Sequence, residues 1–310
     1  MSERRLAWLP YLALAALALI WGVSFLFIKV AIHDMGPTML VLIRSAAGTV
    51  ALAVIMRAMG RRLVPPQWRR RLVPYAVVAI VGTLLPWAAI AWGEEHISSG
   101  LASILNATTP LWAAVLVYWV IPTERPSPLN YAGVLLGFGG VAVLVWPKLA
   151  AAGLTGDALA ATAVVLASFC YAVAALYQRV AMRGMDPYEA SLGQLALTVV
   201  FTIPFAAPAL PSIHLAVLSM AAVIALGVAG SAVAYVLYYY ILNSLGPVRA
   251  TGVTLLVPVT AVLWGALLLN EAVTLPIVAG MVVILAGIVL ANLRPARRRQ
   301  PAIEPDSAAA

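Results

Sequence analysis

Small polar side chains close to a proline inside long apolar stretches are the residues best suited to bind a solute. Proline has no backbone N–H, so the carbonyl four residues earlier loses its helical partner and the helix can bend there. A hinge, a free carbonyl and a polar side chain can therefore coincide. The alternative is that the hydroxyls bond their own helix backbone and that the prolines only shape packing. The predicted hinges are Pro86, Pro110 and Pro258, and the predicted substrate-binding polar residues are Thr83, Asn106, Thr109, Ser231 and Thr254.

Four aromatic residues near the middle of such stretches form a second group of candidate binding residues: Trp21, Trp87, Tyr171 and Tyr235. An aromatic ring with a polar tip suits an amphipathic solute, and its face attracts an ammonium group. Ordinary helix packing is the alternative explanation for each of them.

Two basic residues, Lys29 and Arg44, lie inside apolar stretches and are the gate candidates. Both are within about 12 Å of one end of their stretch at about 1.5 Å per residue, so they could instead extend to the aqueous boundary. Arg44 could also contact a carboxylate. The acidic residues and the three histidines fall near the ends of the stretches. No motif in the sequence predicts a metal, a cofactor or a catalytic site.

The amino-acid composition excludes a water-soluble fold. Of the 310 residues, 64% are hydrophobic and 10% are charged, whereas soluble domains carry roughly 25% charged residues. A membrane-crossing helix needs about 20 apolar residues. Ten stretches qualify: residues 10–32, 37–57, 72–93, 98–120, 129–146, 156–180, 187–207, 214–242, 247–269 and 275–293. The sequence predicts an all-α polytopic membrane protein with these ten transmembrane helices.

The distribution of basic residues predicts the orientation in the membrane. With a cytoplasmic N-terminus, sixteen arginines lie on the inner side, and only Lys29 and Lys148 lie on the outer side. Because lysine and arginine favour the cytoplasmic side, both termini of this multi-pass protein are predicted to be cytoplasmic. The net charge of +8 is then a topology signal. The lipid bilayer is an expected partner, and nucleic acid is not.

A repeated framework divides the chain into two similar halves, each with five predicted spans. Five is odd, so the second copy must enter the membrane from the opposite side. Inverted repeats of this kind are typical of secondary transporters, which bind substrate near the middle of the membrane between the halves. The framework comprises Ala102, Pro110, Glu124, Gly133 and Gly140 in the first copy and Ala250, Pro258, Glu271, Gly280 and Gly287 in the second.

The candidate binding residues are matched between the halves. A shift of 148 aligns Thr83 with Ser231, Trp87 with Tyr235 and Asn106 with Thr254, and a shift of 150 aligns Trp21 with Tyr171. The second half departs from the first at Ala172, which replaces Gly22, and at Gln194, which replaces Arg44. The symmetry of any binding site is therefore open.

These features resemble the drug/metabolite transporter superfamily, in particular its EamA type, which has two five-helix repeats. The resemblance covers residues 10–293. Within the family the chain is similar to bacterial amino-acid exporters, including the aromatic-amino-acid exporter, and this resemblance implies a location in a bacterial inner membrane. The resemblance implies a ten-helix basket around a central cavity walled by spans 1, 3, 4, 6, 8 and 9, with spans 5 and 10 as outer supports. It rests on Trp21-Gly22-x-x-Phe25, on Leu42-Ile43-Arg44 and on the A-x7-P…E-x8-G-x6-G framework in both halves.

The expected domains are a first five-helix repeat over residues 1–150, a second, inverted one over 151–295 and a disordered cytoplasmic tail over 296–310. The expected function is alternating-access export of small amphipathic metabolites. Neutral, hydrophobic or aromatic amino acids are favoured over drugs, nucleobases or other metabolites. A channel is a further alternative, and an intramembrane enzyme is disfavoured because no catalytic dyad is visible.

The positions of charges and glycines lead to two further expectations. No carboxylate lies in the middle of a span, so we expect facilitated or weakly coupled transport, with proton coupling as the alternative. The glycines of spans 5 and 10 suit close helix packing. We expect that packing to be internal, so a monomer is favoured over a dimer.

Overall fold

The computed structural model describes residues 8–120, 127–152, 156–208, 216–246, 250 and 252–293, which form apolar helices and no β-strand. Nine helices of this described part are long and apolar enough to cross a membrane, and α9 is shorter, with 17 residues. The predicted all-α polytopic fold is confirmed. The helices are α1 (Leu9–Ala31), α2 (Pro37–Ala58), α3 (Trp68–Glu94), α4 (Ser99–Val120), α5 (Pro128–Ala152), α6 (Gly156–Ala181), α7 (Pro187–Ala206), α8 (Val217–Leu245), α9 (Val253–Leu269) and α10 (Leu275–Asn292).

Proline and a capping carboxylate define the starts of α2 and α7. Pro37 and Pro187 occupy the first positions of these helices, where a missing N–H leaves no helical bond unmade. The Asp186 carboxylate accepts hydrogen bonds from the backbone N–H groups of Tyr188 and Glu189, at 2.9 and 3.1 Å. It thereby satisfies two donors that a helix start leaves free.

Both α3 and α8 contain a π-helical turn, over Ile80–Leu84 and Val228–Val233 respectively. The two turns begin 148 residues apart, the shift that aligns the two halves. Because α8 has Ala234 where α3 has Pro86, a proline is not needed for the irregularity. The hinge at Pro86 stays a prediction: the π turn of α3 includes Gly82, whose carbonyl Pro86 leaves without its α-helical donor, and the same kind of turn recurs in α8 without a proline.

Proline has different effects in α4 and α9. The first segment of α4 ends at Asn106 and the second begins at Thr109, directly before Pro110, as the missing N–H predicts. In contrast, α9 continues from Val253 to Leu269 through Pro258. Of the three predicted hinges, Pro110 alone lies beside a break between two α-helical segments in the part of the chain described.

Helices at equivalent positions in the two halves make equivalent contacts. α1 packs on α9 as α6 packs on α4, and α3 packs on α6 as α8 packs on α1. The pairs α2–α7, α4–α9 and α5–α10 each join equivalent helices. A two-fold relation between the halves produces this pattern, which is consistent with the predicted inverted repeat.

The α5–α10 pair is packed through the repeated glycines. A Cβ added at Gly133 would collide with the backbone of Ala291, and one added at Gly280 would collide with the side chain of Leu144. These are equivalent contacts under the exchange of halves. The glycines thus allow two supporting helices to approach closely inside the molecule. The predicted tail, 296–310, and Glu124 lie outside the described residues.

Candidate functional site

A cavity of about 290 Å³ lies between the two halves. Its wall includes residues of α1, α3, α4, α6, α8 and α9, the six helices that the family resemblance implies, and also Arg44 of α2. Among the described residues, none of the lining positions belongs to α5 or α10, which pack outside the wall. The volume is near the lower end of small-molecule sites, about 300 Å³, so it suits a small metabolite.

All four aromatic residues singled out by the sequence line this cavity. Trp21 and Trp87 come from the first half, and Tyr171 and Tyr235 from the second. Trp21 also packs against Tyr238 of α8, with 6.0 Å between the ring centroids. The apolar faces of four helices therefore converge on one space, as required to hold the apolar part of a solute.

Asn106, which lines the cavity, carries a buried side-chain acceptor that has no partner in the described part of the chain. Its backbone carbonyl, at the break in α4, accepts hydrogen bonds from Thr109 Oγ1 at 2.9 Å and Ser168 Oγ at 3.1 Å. Its side-chain oxygen Oδ1 is buried and lacks a partner among the described residues. A buried unpaired acceptor is costly, so a donor on a bound molecule would relieve that cost.

Thr109 and Thr254 also line the cavity. The Thr109 hydroxyl donates to its own helix backbone, as the packing alternative expects, and its oxygen keeps the capacity to accept. Thr254 is the second residue of α9. It marks one end of the cavity, and Ile28 and Ile90, near the ends of α1 and α3, mark the other.

Arg44 is a buried cation in the cavity wall. The residue is 7% exposed, and its guanidinium carbon lies 3.6 Å from the centroid of the Trp87 ring. Its Nε donates to Ser231 Oγ at 3.4 Å. Stacking on an aromatic face stabilises a desolvated guanidinium, but none of the ion pairs found in the described part of the chain involves Arg44. The guanidinium is thus available to an anionic group in the cavity.

Thr83 and Ser231, predicted to bind substrate, lie behind the cavity wall. Thr83 is fully buried and accepts a hydrogen bond from Gln194 Nε2, and Ser231 accepts one from Arg44 Nε. These are equivalent contacts, because Gln194 is the repeat mate of Arg44. In a regular α-helix Thr83 would share a face with Trp87, four residues later. Thr83 lies inside the π turn, where the angle between successive residues differs from that of an α-helix, and it faces α7 while Trp87 faces the cavity.

The hinge and gate candidates occupy three different environments. Pro110 and Pro258 line the cavity, whereas Pro86 is buried off its wall. Lys29 also lies off the wall, and its Nζ donates to the backbone carbonyls of Glu94 and Ile97, the latter at 3.0 Å. Lys29 therefore ties the end of α1 to the connection between α3 and α4.

The end of the cavity next to that connection is closed. The Glu271 carboxylate accepts hydrogen bonds from the backbone N–H groups of Ser99 and Gly100, at 2.8 and 3.1 Å, and from Ser99 Oγ at 3.0 Å. It thereby caps the start of α4 from the α9–α10 connection. Ile97 is only 2% exposed in the same region. Glu271, the framework glutamate of the second half, thus bonds the second half to the first.

Three functional candidates were missed by sequence reasoning. Ser24 and Ser103 line the cavity. Ser24 lies three residues, about one helical turn, after Trp21, and Ser103 lies three residues before Asn106. Because Trp21 and Asn106 were predicted to line the cavity, this spacing could have identified both serines. Glu94 is fully buried, although its neighbours in the sequence suggested a loop. No sequence signal separated it from the exposed Glu95.

Comparison with known proteins identifies transporters. The EamA-like transporter family model matches residues 8–146 and 158–293. A Bacillus subtilis protein named uncharacterized transporter YoaV is 22% identical over 93% of this chain and 98% of its own length. The Escherichia coli K12 uncharacterized inner membrane transporter YedA is 26% identical over 84% of this chain and 83% of its own.

Two further comparisons bear on the fold and on relatives with a more specific name. A probable terminal-alkyne amino-acid exporter from Streptantibioticus cattleyicolor is 28% identical over 94% of this chain and 96% of its own. A solved crystal structure matches 91% of this chain and 96% of its own, with a TM-score of 0.66 and 19% identity. That likeness is one of fold alone.

Proposed function

The chain belongs to the EamA-like transporter family, and on that premise we propose that it exports small amphipathic metabolites by alternating access, with neutral or aromatic amino acids as the substrate class. It is a multi-pass inner-membrane protein. The proposal includes two inverted five-helix repeats, over residues 1–150 and 151–295, with both termini in the cytoplasm. Movement of one repeat against the other would expose the central cavity to each side in turn.

The observation that carries the proposal is the pairing of a buried cation and a buried unpaired acceptor in one aromatic cavity. Arg44 can bind a carboxylate through its free guanidinium N–H groups. Asn106 Oδ1 can accept from an ammonium group, and the faces of Trp21 and Trp87 attract the same group. An amino acid carries both charges and an apolar side chain, so it matches all three features of the wall.

Other metabolites match the wall less well. A cationic drug would meet the Arg44 charge without compensation, and an uncharged nucleobase would leave that charge buried and unpaired. The Streptantibioticus relative carries the name of a probable amino-acid exporter, which favours the same substrate class. Export of drugs, nucleobases or other metabolites is the second candidate, and a channel is a weaker one.

Facilitated or weakly coupled transport is the mode that we propose. The described residues that line the cavity include no acidic side chain, the usual carrier of a proton or of part of a sodium site. A net-neutral zwitterion can then move down its own gradient. Sequence reasoning reached the same expectation from the absence of acids at mid-span. Glu94 is buried beyond the end of the cavity and is not part of its lining.

Flux in proteoliposomes tests the proposal. Vesicles loaded with one labelled solute from a panel of amino acids, nucleobases and cationic drugs are diluted into solute-free buffer without an ion gradient. We expect efflux of neutral and aromatic amino acids above that from protein-free vesicles. Efflux of drugs or nucleobases alone would refute the substrate class. Amino-acid efflux that requires an imposed proton or sodium gradient would refute the facilitated mode, and single-channel currents would support the channel.

A further inference from the structure

Glu94 is a buried carboxyl group without a partner. It is the last residue of α3 and is 0% exposed. Both of its carboxyl oxygens are buried and neither has a hydrogen-bond partner among the described residues. An ionised carboxylate in such a place would lose its hydration without compensation. The closed arrangement around Glu94 therefore favours the neutral, protonated acid.

The position of Glu94 links it to the cavity. It lies four residues after Ile90 and seven after Trp87, and both of these line the cavity. Residues at this spacing share one face of a helix. Glu94 is therefore about one turn beyond the lining residues of α3, in the layer that closes this end of the cavity. The same layer contains the buried Ile97 and the bond from Glu271 to the start of α4.

The charged groups around Glu94 do not form an ion pair with it in the described structure. The side chains that act on it electrostatically are Lys29 from α1, Arg44 from α2 and Glu271 from the α9–α10 connection. The Lys29 ammonium is directed at the backbone carbonyls of residues 94 and 97. The Glu271 carboxylate is engaged by Ser99 and Gly100.

The other neighbouring elements contribute mainly apolar groups. α6 places Ala160 and Val164 against Gly93, the residue before Glu94, and carries Asp157 in its first turn. On its own connection, Glu95 and His96 are exposed. Glu94 thus lies beside the charged groups of Lys29 and Glu271, which are bonded elsewhere, and beside a close contact between α3 and α6.

We propose that Glu94 is a proton-binding site that controls the outer end of the cavity. When this end closes, the Glu94 carboxylate takes up one proton from the outside water and is buried as the neutral acid. When the end opens, water reaches the group, the proton returns to the outside, and Lys29 becomes the counter-charge of the carboxylate. Uptake and release occur on the same side, so the proton gates the cavity without crossing the membrane. The inference rests on the alternating access proposed above.

The direction of the pH effect follows from the proton balance. Closing consumes a proton, so a lower external pH favours the closed outer end and a higher external pH favours the open one. A glutamine at position 94 cannot ionise and imitates the protonated acid. Glu94→Gln is therefore expected to hold the outer end closed over the whole pH range.

Infrared spectroscopy of the full-length protein in lipid tests the protonation directly. We expect the C=O stretching band of a protonated carboxylic acid at neutral pH, lost in Glu94→Gln and kept in Glu95→Gln, the exposed neighbour. Persistence of the band in Glu94→Gln, or its absence from the wild-type protein, would overturn the proposal. Glu94→Asp keeps the carboxyl group and should keep the band. It is the control that distinguishes loss of the carboxyl group from misfolding of Glu94→Gln.

Labelling of a single cysteine tests the gate. In a Cys170→Ser background, Ile97→Cys places a thiol in the closed layer, and a membrane-impermeant maleimide is added to the outside of right-side-out vesicles. Rates are divided by those of an exposed control, His33→Cys, to remove the pH dependence of thiol reactivity. We expect the normalised rate to rise with external pH, by up to about tenfold per unit for a single proton, and to stay low with Glu94→Gln. A pH-independent ratio in the wild-type background would overturn the gate.

Neither readout requires a transported solute, so the two proposals can fail separately. A carboxylic-acid band with pH-dependent labelling, but without amino-acid efflux, would refute the substrate class and leave Glu94 as the gate. Amino-acid efflux without the band or the pH dependence would support the transporter and refute the role of Glu94.

Discussion

Substitution of Arg44 gives the most direct test of the proposed substrate class. It contributes a buried guanidinium to the cavity wall and stacks on Trp87. Arg44→Gln copies the second half, where Gln194 occupies the equivalent position. A charge-assisted hydrogen bond contributes about 1.5–3 kcal/mol, so we expect amino-acid affinity to fall by about 10- to 100-fold.

Counterflow measurements of the apparent affinity check this expectation. The control is Arg57→Gln, which removes an exposed arginine from the same helix and should leave affinity unchanged. Equal affinity in Arg44→Gln and the wild-type protein would remove Arg44 from the binding site.

Asn106 should distinguish amino acids from their deaminated analogues. Its unpaired Oδ1 is proposed to accept from the ammonium group, so Asn106→Ala should weaken amino-acid binding by about 10- to 100-fold, as for one lost charged hydrogen bond. The carboxylic acid with the same side chain and no amino group should bind the variant as well as the wild-type protein. Competition with labelled substrate measures both, and an equal loss for the two ligands would contradict the assignment.

The sequence predicted which residue types could bind a solute better than it predicted the direction in which each side chain points. The seven predicted binding residues on the cavity wall were recognisable because polar or aromatic groups inside a span are unusual, and six of them are matched between the halves. Thr83 and Ser231 met the same criteria but lie behind the wall. Their direction depends on a π turn, which no residue type in Ile80–Leu84 announces. Burial of Glu94 likewise depends on neighbours that are distant in the sequence.

At the scale of elements, two adjacent glycines of α5 offer a matched test of helix packing. A Cβ added at Gly140 would lie 2.8 Å from Ile284 Cγ1, whereas one added at Gly139 would meet nothing within 4 Å. Gly140→Ala should therefore force α5 and α10 apart and lower stability by about 1–3 kcal/mol. Gly139→Ala should be neutral or stabilising by up to about 1 kcal/mol, because alanine favours the helix.

Denaturant unfolding of the two glycine variants in detergent compares them directly. Equal stabilities would show that α5 and α10 are not held at the close approach described. Greater loss with Gly139→Ala would place the contact on the other face of α5.

The bond from Glu271 to the start of α4 is the second element-scale test. Glu271→Gln removes the negative charge that faces the N–H groups of Ser99 and Gly100. We expect a loss of about 1–3 kcal/mol in unfolding free energy, together with faster labelling of Ile97→Cys, because the closed end is weakened. Glu95→Gln is the exposed control. Unchanged stability and labelling would show that this carboxylate does not hold the closed end together.

Helix number and approximate bounds followed from apolar length alone, because a membrane-crossing helix needs a minimum run of such residues. The behaviour of proline did not follow in the same way. Pro110 coincides with a break in α4, but α9 continues through Pro258. Whether a missing N–H opens a helix depends on what else can bond the freed carbonyl, and Ser168 does so for Asn106. Such a partner from another helix cannot be found from local sequence.

For the whole molecule, the orientation in the membrane can be tested with single cysteines in the Cys170→Ser background. His33→Cys lies in the exposed connection between α1 and α2, and Arg62→Cys lies in the exposed connection between α2 and α3. The excess of arginines on the predicted inner side means that an impermeant maleimide should label His33→Cys in intact cells. Arg62→Cys should react only after permeabilisation. The reverse pattern would contradict cytoplasmic termini.

The two ends of the molecule are bonded between the halves in different ways. At the predicted inner end, Arg61 pairs with Asp186 at 2.8 Å and Arg71 with Glu189 at 2.7 Å. At the predicted outer end, Glu271 is bonded to backbone donors of α4. The internal repeat predicted that the halves would meet around a central site. The Arg61 and Arg71 pairs depend on side chains that are not repeated, whereas Glu271 belongs to the repeated framework.

The paired π turns of α3 and α8 also bear on the history of the chain. A π turn amounts to one extra residue inserted into an α-helix. The two insertions occupy matching places, Ile80–Leu84 and Val228–Val233, although the surrounding residues have diverged and only one copy kept a proline. On the duplication that the sequence repeat predicts, the simplest order of events is that the ancestral five-helix unit already carried the extra residue before it was copied. The irregularity is then older than the two-halved protein, and both halves inherited it.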